Sequence, residues 1–515
     1  MNGAKTTYEI PFSSNKRPFT ETQDYKKLYQ VQQHRTFGSR SQERTYQDKK
    51  QLSKLFRKAG VGRFSQHIPN YKSSETAGDL YSWGRSQDGV LGHEVEDKSD
   101  DENVKIDKRG YLMINKPKIL DFFKNHSIKI SKMSCGAGHI VVLANNTKIY
   151  SWGWNRLGQL GLNIKDENIS IPSEITNLRC KNIINVYWGA GHSFALDSYG
   201  SAYSWGASAD YQTGHGQNEV DIYSPKRIDF QAIGAYKIVD IACGIKHTLM
   251  LTANHEVISF GWTEYGQWGQ GFSSETAGKK VHNKKPAVIQ TFDGRIITNI
   301  YWGGAHSMWL TSNQAIYSFG LNNNGQLGLG STIHHINIPE KLRQFTSFSL
   351  QKIACGDEMT LFLTSNSDLF ACGWNGANQF ACIESPKLYY PTQLNSEQMF
   401  GSGTILISQI YCSDRTIAFK VGLNKLYQCG SIIGKDKNII SEKPMLIKEL
   451  EWEIQDVIWA RSQMFVIGTE KQNKGLKTNE HIMNILNNNQ FFYTQKPKEK
   501  QISFQYSHIN KRDLK

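Results

Sequence analysis

The stretch Asn182-Ile-Ile-Asn-Val-Tyr-Trp-Gly-Ala-Gly-His-Ser-Phe-Ala-Leu196, continued by Ser201-Ala-Tyr-Ser-Trp-Gly206, decides the fold. It holds short runs rich in Ile, Val, Tyr, Phe and Trp, separated by Gly-Ala-Gly and by the turn Asp197-Ser-Tyr-Gly200. Runs of that length and composition predict consecutive antiparallel strands. The unit recurs. Its aromatic-Ser-Trp-Gly part, or a variant, closes at Gly84, Gly153, Gly206, Gly261, Gly320, Gly373 and Gly430, with Trp83, Trp152 and Trp205 before the first three. Its other part recurs as Cys135-Gly136-Ala-Gly-His139, Trp188-Gly189-Ala-Gly-His192, Cys243-Gly244-Ile-Lys-His247 and Trp302-Gly303-Gly-Ala-His306. It then decays through Cys355-Gly356-Asp-Glu-Met359, Cys412-Ser-Asp-Arg-Thr416 and Trp459-Ala-Arg-Ser-Gln463. Seven copies, mostly 53 to 59 residues apart, make a repeat architecture.

A further strand is expected after Pro117, Pro172, Pro225, Pro286, Pro339, Pro391 and Pro444, with proline as first strand residue, where a missing N–H is tolerated. Four short strands per unit make a propeller blade. The Gly-Gln-Leu-Gly turns at Gly158–Gly161 and Gly325–Gly328, and Gly266-Gln-Trp-Gly269, supply positive φ and close approach to the next blade. The series Gly136, Gly189, Gly244, Gly303 and Gly356 reads as positions near the axis that exclude bulk. The first Ser-Trp-Gly has no Cys-Gly partner before it, and the last such partner, Asp456–Gly468, has no Ser-Trp-Gly after it. The two ends therefore complete one blade, which removes exposed edges. The expected fold is all-β: a seven-bladed propeller over 78–469, between extensions 1–77 and 470–515.

On these motifs the chain resembles the regulator of chromosome condensation repeat family across residues 78–469. The resemblance implies a seven-bladed ring and leaves function open, because one fold hosts many functions. Members of that family include a chromatin-bound exchange factor for the Ran GTPase, a plant UV-B photoreceptor, modules of ubiquitin ligases and non-enzymatic scaffolds. The photoreceptor pattern needs a recurring Gly-Trp-Arg-His-Thr segment, and this chain has Gly-Ala-Gly-His-Ser and its variants there.

Charge separates the regions. Residues 1–77 hold 15 Lys/Arg and 6 Asp/Glu, and residues 470–515 hold 9 and 4. These tails give +9 and +5, the whole +14 of the chain, and leave the ring neutral. A basic balance points to polyanionic partners, and here it belongs to the tails. The eight cysteines show no CxxC pair and no zinc-ligand spacing. Four share a repeat slot with Trp188, Trp302 and Trp459, while Cys372 and Cys429 replace the aromatic residue before the motif glycine. Both slots read as buried and apolar, which suits free thiols in a reducing compartment. No apolar run of about 18 residues is present. Met1–Thr20 lacks an apolar centre, and the acidic Glu9, Glu21 and Asp24 fit a mitochondrial presequence poorly. An intracellular protein is expected, cytoplasmic or cytoskeletal with a cilium in view, the nucleus ranking lower and the mitochondrion left open.

His139, His192, His247 and His306 hold equivalent positions in four blades, so each is expected to bond its own blade or a neighbour rather than a shared metal. His334-His335 reads as part of a solvated loop. No nucleophile elbow, phosphate loop or His-Glu-x-x-His motif occurs, so neither catalytic residue, cofactor nor metal is expected. An exchange factor needs no nucleophile, only a polar face and a wedge. The acidic run Glu94–Glu102, in the longest gap between motifs, is the candidate insertion.

The extensions carry the candidate contacts. Ser41–Ala59 reads as a helix with Ser41 and Gly60 as caps. Its narrow stripe Leu52, Leu55 and Phe56 lies among Lys49, Lys50, Lys54, Arg57 and Lys58. In the other tail Thr478 caps a short helix through Asn487, and Phe491, Phe492 and Tyr493 form an anchor for a partner groove. The sequence favours a non-enzymatic scaffold subunit of a large assembly, its basic tails tethering the ring to an acidic protein surface such as tubulin in a ciliary axoneme. A Ran-like GTPase exchange factor, or a nucleic-acid-associated module on chromatin, is the alternative.

Overall fold

The computed structural model describes residues 77–469, except 87, 95–100, 217–219, 235, 272–281, 290–294, 346–347, 402–404, 434–437, 448–449, 451 and 461–462. The extensions, with the helix of 41–59, Lys49, Lys50, Lys54, Leu55, Phe56, Arg57, Lys58, Phe491, Phe492 and Tyr493, lie outside the described residues. Seven antiparallel sheets form a propeller. Blades 1 to 6 span Ile130–Glu174, Ile183–Arg227, Ile238–Ile289, Ile297–Lys341, Leu350–Leu394 and Ile407–Leu446, with four strands each in sequential order from inner to outer.

Blade 7 closes the ring. Its two inner strands, Glu453–Ala460 and Gln463–Thr469, come from the end of the propeller, and Asp79–Arg85 pairs with the second of them from Asp79↔Gly468 to Trp83↔Met464. Leu112–Ile119 is the fourth strand, and a three-residue strand Val104–Ile106 adds a fifth. This extra hairpin occupies part of the longest gap between motifs. Of the acidic run, only Glu94, Asp101 and Glu102 are among the described residues.

The strand after each proline differs from the expectation. Proline lies inside the outer strand, not at its start. In every blade three outer-strand residues, the last a proline, face the single residue before the motif glycine. In blade 2, for example, Ser204 pairs with Lys226 and Gly206 with Ile222, leaving Tyr223, Ser224 and Pro225 in a bulge. The same shift brackets Pro117, Pro172, Pro286, Pro339, Pro391 and Pro444. A bulge interrupts the ladder, so the absent N–H costs no pairing there.

Two glycine series are fixed by geometry. Gly84, Gly153, Gly206, Gly261, Gly320, Gly373 and Gly430 adopt φ between +100° and +116°. A Cβ on Gly153 would also stand 2.4 Å from the Gly138 carbonyl oxygen. At Gly136, Gly189, Gly244 and Gly303 a Cβ would fall within 2.2 Å of Cε1 of the histidine three residues on. Bulk is thus excluded there by the motif's own imidazole, which folds back over the glycine. Between blades, Trp152, Trp205, Phe260 and Phe319 are fully buried. In the slot shared by Cys and Trp, Cys135 and Cys243 are buried, but Trp188 and Trp302 are half-buried and meet edge to face at 5.6 Å. That slot ends the inner strand, at the wall of the central channel, so it is less enclosed than the sequence suggests.

Candidate interaction face

The motif histidines join neighbouring blades. His139 Nε2 lies 2.9 Å from Ser193 Oγ in blade 2, and Ser193 donates its hydroxyl to the Gln159 carbonyl of blade 1 at 3.1 Å. Because the hydroxyl proton is committed to that carbonyl, the histidine carries its proton on Nε2 and donates. The relay repeats as His192–Thr248–Gln212, His247–Ser307–Gln267 and His306–Thr360–Gln326. The His247 copy is the longest, at 3.4 and 3.5 Å. The Gln159 carbonyl also accepts from Trp205 Nε1 at 2.8 Å, and Cys372 Sγ points at the Gln326 carbonyl from 3.5 Å. Cysteine in this slot therefore keeps a donor facing the preceding blade. Burial lowers the pKa of His139, His192 and His247 to about 3 and that of His306 to about 4, so all four are neutral at physiological pH.

Where the histidine motif decays, the relay is replaced. In the matching places of the repeat Met359 corresponds with Ile417, Thr416 with Met464 and Gln463 with Ile140. At the same loops the face of the ring gains charge. Blades 1 and 2 present Ala137-Gly138 and Ala190-Gly191, whereas blades 5 and 6 present Asp357-Glu358 and Asp414-Arg415. These four side chains, with Ile245, Leu321 and Trp374, line a cavity of about 240 Å³. The Arg415 guanidinium stands over the Trp374 ring at 5.7 Å. Enclosure, then the carboxylates of Asp414 and Glu358, push Asp357 up to about 6. Asp357 is exposed at the rim, so repulsion among the carboxylates is the firmer cause. The pocket combines an aromatic wall on which Arg415 already lies, an apolar wall and three carboxylates, so its lining is net acidic and suits a cationic side chain. The sequence marks these residues only as decayed repeats. The signal that points to them is charge replacing small residues at matching positions of adjacent blades.

A second feature carries no motif of its own. Three residues before the channel slot, every blade has a polar side chain: Lys132, Asn185, Asp240, Asn299, Lys352, Gln409 and Asp456. Each lies just past a register shift in the inner strand. Lys352 Nζ donates to Gln409 Oε1 at 2.9 Å and lies over Tyr411, with Asp456 as its attractive charge. Burial raises Asp240 to about 7. His334 Nδ1 contacts Asn323 Oδ1, and His335 opens the outer strand of blade 4 and is half-buried, not solvated in a loop. Among the described residues no group of three or more His, Cys, Asp or Glu is placed to hold a metal ion, and no helix is long and apolar enough to cross a membrane.

The family model described as RCC1-like domain matches residues 79–466. The ultraviolet-B receptor UVR8 of Arabidopsis thaliana is 29% identical over 306 residues, which is 59% of this chain and 63% of that protein. The probable E3 ubiquitin-protein ligase HERC4 of Rattus norvegicus is 36% identical over 40% of this chain and 18% of its own length. The chain thus spans less than two thirds of these relatives. A solved structure of yeast RCC1 (Prp20) bound to Kap60 superposes with TM-score 0.65 at 19% identity, covering 82% of this chain and 94% of that one. Human WBSCR16 gives 0.64 at 21% identity, covering 77% and 100%.

Proposed function

We propose, from the premise that this chain belongs to the RCC1-like domain family, that it acts as a non-enzymatic scaffold subunit of a large intracellular assembly. The observation that carries the reading is the pocket on the ring face, where Asp357, Glu358, Asp414 and Arg415 converge from two blades beside Trp374. A rigid ring with such a patch offers one partner a fixed seat. The tails, at +9 and +5, reach a second, acidic one. A ciliary microtubule lattice, with acidic tubulin faces, suits that charge, and it makes a cytoplasmic or cytoskeletal location the working one.

A second reading draws on the solved structure of Prp20p from Saccharomyces cerevisiae, a protein described as binding Gsp1p and histones. On that reading the ring is an exchange factor for a Ran-like GTPase, on chromatin. The likeness is at 20% identity and speaks for the fold. Affinity capture with mass spectrometry, comparing the full chain with residues 78–469, separates the two. Loss of a stoichiometric set of assembly proteins from the shorter form supports the scaffold. Retention of one small GTPase by both, with faster nucleotide release from it, overturns the scaffold in favour of exchange.

A further inference from the structure

Exposed apolar side chains gather on one blade. Blade 6 carries Leu406 at 65% exposure, Leu423 at 63%, Met445 at 46% and Leu446 at 36%. All four sit at the same end of the blade. Leu406 precedes the inner strand Ile407–Cys412, and Leu423 lies in the turn after Val421, which pairs with Ile407. Met445 and Leu446 end the outer strand, and Leu446 pairs with Tyr427, two residues into the strand that leaves that turn. This end is opposite the face that holds the charged pocket. Isolated apolar residues on a surface are ordinary, but four along one end of one blade, from its inner to its outer strand, concentrate exposed apolar surface there.

The ring terminates beside that end of blade 6. The last described strand finishes at Thr469, which pairs with Glu453. The adjoining Ile454 donates its N–H to the Leu423 carbonyl at 2.8 Å. The chain therefore leaves blade 7 next to the apolar end of blade 6. Beyond Thr469 the sequence runs through a basic segment with Lys471, Lys474 and Lys477. It then enters Thr478–Tyr493, which has no Lys or Arg and holds Ile482, Met483, Ile485, Leu486, Phe491 and Phe492. Lys496, Lys498 and Lys500 resume the charge. Nine residues from Thr469 to Thr478 reach as far as about 30 Å, ample for a neighbouring blade.

We infer that Thr478–Tyr493 of this chain covers the end of blade 6 that carries Leu406, Leu423, Met445 and Leu446. The apolar island meets this apolar end at its point of exit, and the lysines on both sides stay in water. Being tethered, the segment binds at high effective concentration, so a modest apolar surface suffices. This assigns the Phe491–Tyr493 anchor to the chain's own ring rather than to a partner, and it stands whether or not the scaffold reading does.

Hydrogen exchange of the full chain, read by mass spectrometry, tests it. Peptides across 478–493 should exchange at least about tenfold more slowly than an unstructured segment. Leu406→Asp/Leu423→Asp, a change of two exposed residues, should remove that protection, and Phe491→Ala/Phe492→Ala, which leaves the ring untouched, should do the same. Amine cross-linking should join Lys477 or Lys496 to Lys425 or Lys443 within one molecule. Unprotected exchange in the full chain, protection that survives both variants, or cross-links found only between two copies would each overturn the assignment.

Discussion

His139 in blade 1 places Nε2 2.9 Å from Ser193 Oγ in blade 2, across 54 residues of sequence, and neither side chain touches solvent. The hydroxyl is at once acceptor for the imidazole and donor to the Gln159 carbonyl, so one oxygen links two groups of blade 1 to blade 2. Its removal strands both. Ser193→Ala should therefore cost more than a single exposed hydrogen bond, about 1–3 kcal/mol, because a buried N–H and a buried carbonyl lose a partner. Urea unfolding of the variant beside the parent reads this out; an unchanged midpoint would mean that the relay carries no stability.

Acid should weaken the ring in a defined window. The four relay histidines titrate at about 3 to about 4 in the folded chain against 6.5 unfolded. Above 6.5 both states are neutral and the contribution is whole. As pH falls from 6.5 towards 4 the unfolded chain takes up protons that the folded chain refuses, and stability drops by about 1.4 kcal/mol per pH unit per histidine. Asp240, held at about 7, works the other way, since the folded chain binds that proton first. Asp357 has the same sign at about 6, weakened by its exposure. Buried His93 and His215, held at about 3 and about 4, add to the loss, while Asp221, Glu340 and Asp456, raised by burial, join Asp240 and Asp357 against it. The six histidines outnumber these five carboxylates, so the unfolding midpoint should fall between pH 6.5 and 4. His192→Gln, which keeps an N–H donor, should flatten the slope by about one proton.

The motif glycines divide sharply by neighbour. At Gly153 a φ of +105° coincides with a backbone oxygen 2.4 Å from any Cβ, and that oxygen belongs to the adjoining loop of the same blade. Gly153→Ala should lower stability by more than about 3 kcal/mol or prevent folding, since both strain and overlap act together. At Gly110 φ is +79° but nothing lies within 4 Å. Gly110→Ala should cost only the left-handed strain, about 1–2 kcal/mol. Thermal melts of the pair distinguish overlap from strain.

The blades are legible in the sequence because their markers are local. A motif glycine, mostly 53 to 59 residues from the next, marks the last part of the third strand of each blade, and the unpaired first and last motifs fix the closure. The prolines fall several residues from their expected place, because a bulge is a relation between two strands and leaves no composition signal in one. Partners such as His139 and Ser193 are hidden for the same reason, although the replacement of His and Thr by Met359 and Ile417 in matching places hints at the pairing. The pocket is hidden because a decayed motif reads as a loss. Asp357, Glu358, Asp414 and Arg415 depart from the pattern because they face outward, where the ring imposes no packing demand and charge can be placed freely.

Closure from both ends sets the limit of N-terminal truncation. Residues before Gly78 make no described pairing, whereas Asp79–Arg85 bridges Gln463–Thr469 on one side and Leu112–Ile119 on the other. Tyr81 stacks on Trp452 at 3.9 Å, and Leu80 and Ser82 are buried. Removing residues 1–76 should leave the melting temperature within a degree or two of the full chain. Removing residues 1–85 should leave the edge of Gln463–Thr469 unpaired in the middle of blade 7 and separate Leu112–Ile119 from its sheet. An exposed edge of that kind is a template for association between chains. Size-exclusion chromatography and a melt should then show oligomers and a broadened, earlier transition for the longer deletion alone. If the shorter deletion already has that effect, residues before the first motif contribute to the ring, and the propeller begins earlier than its repeats indicate.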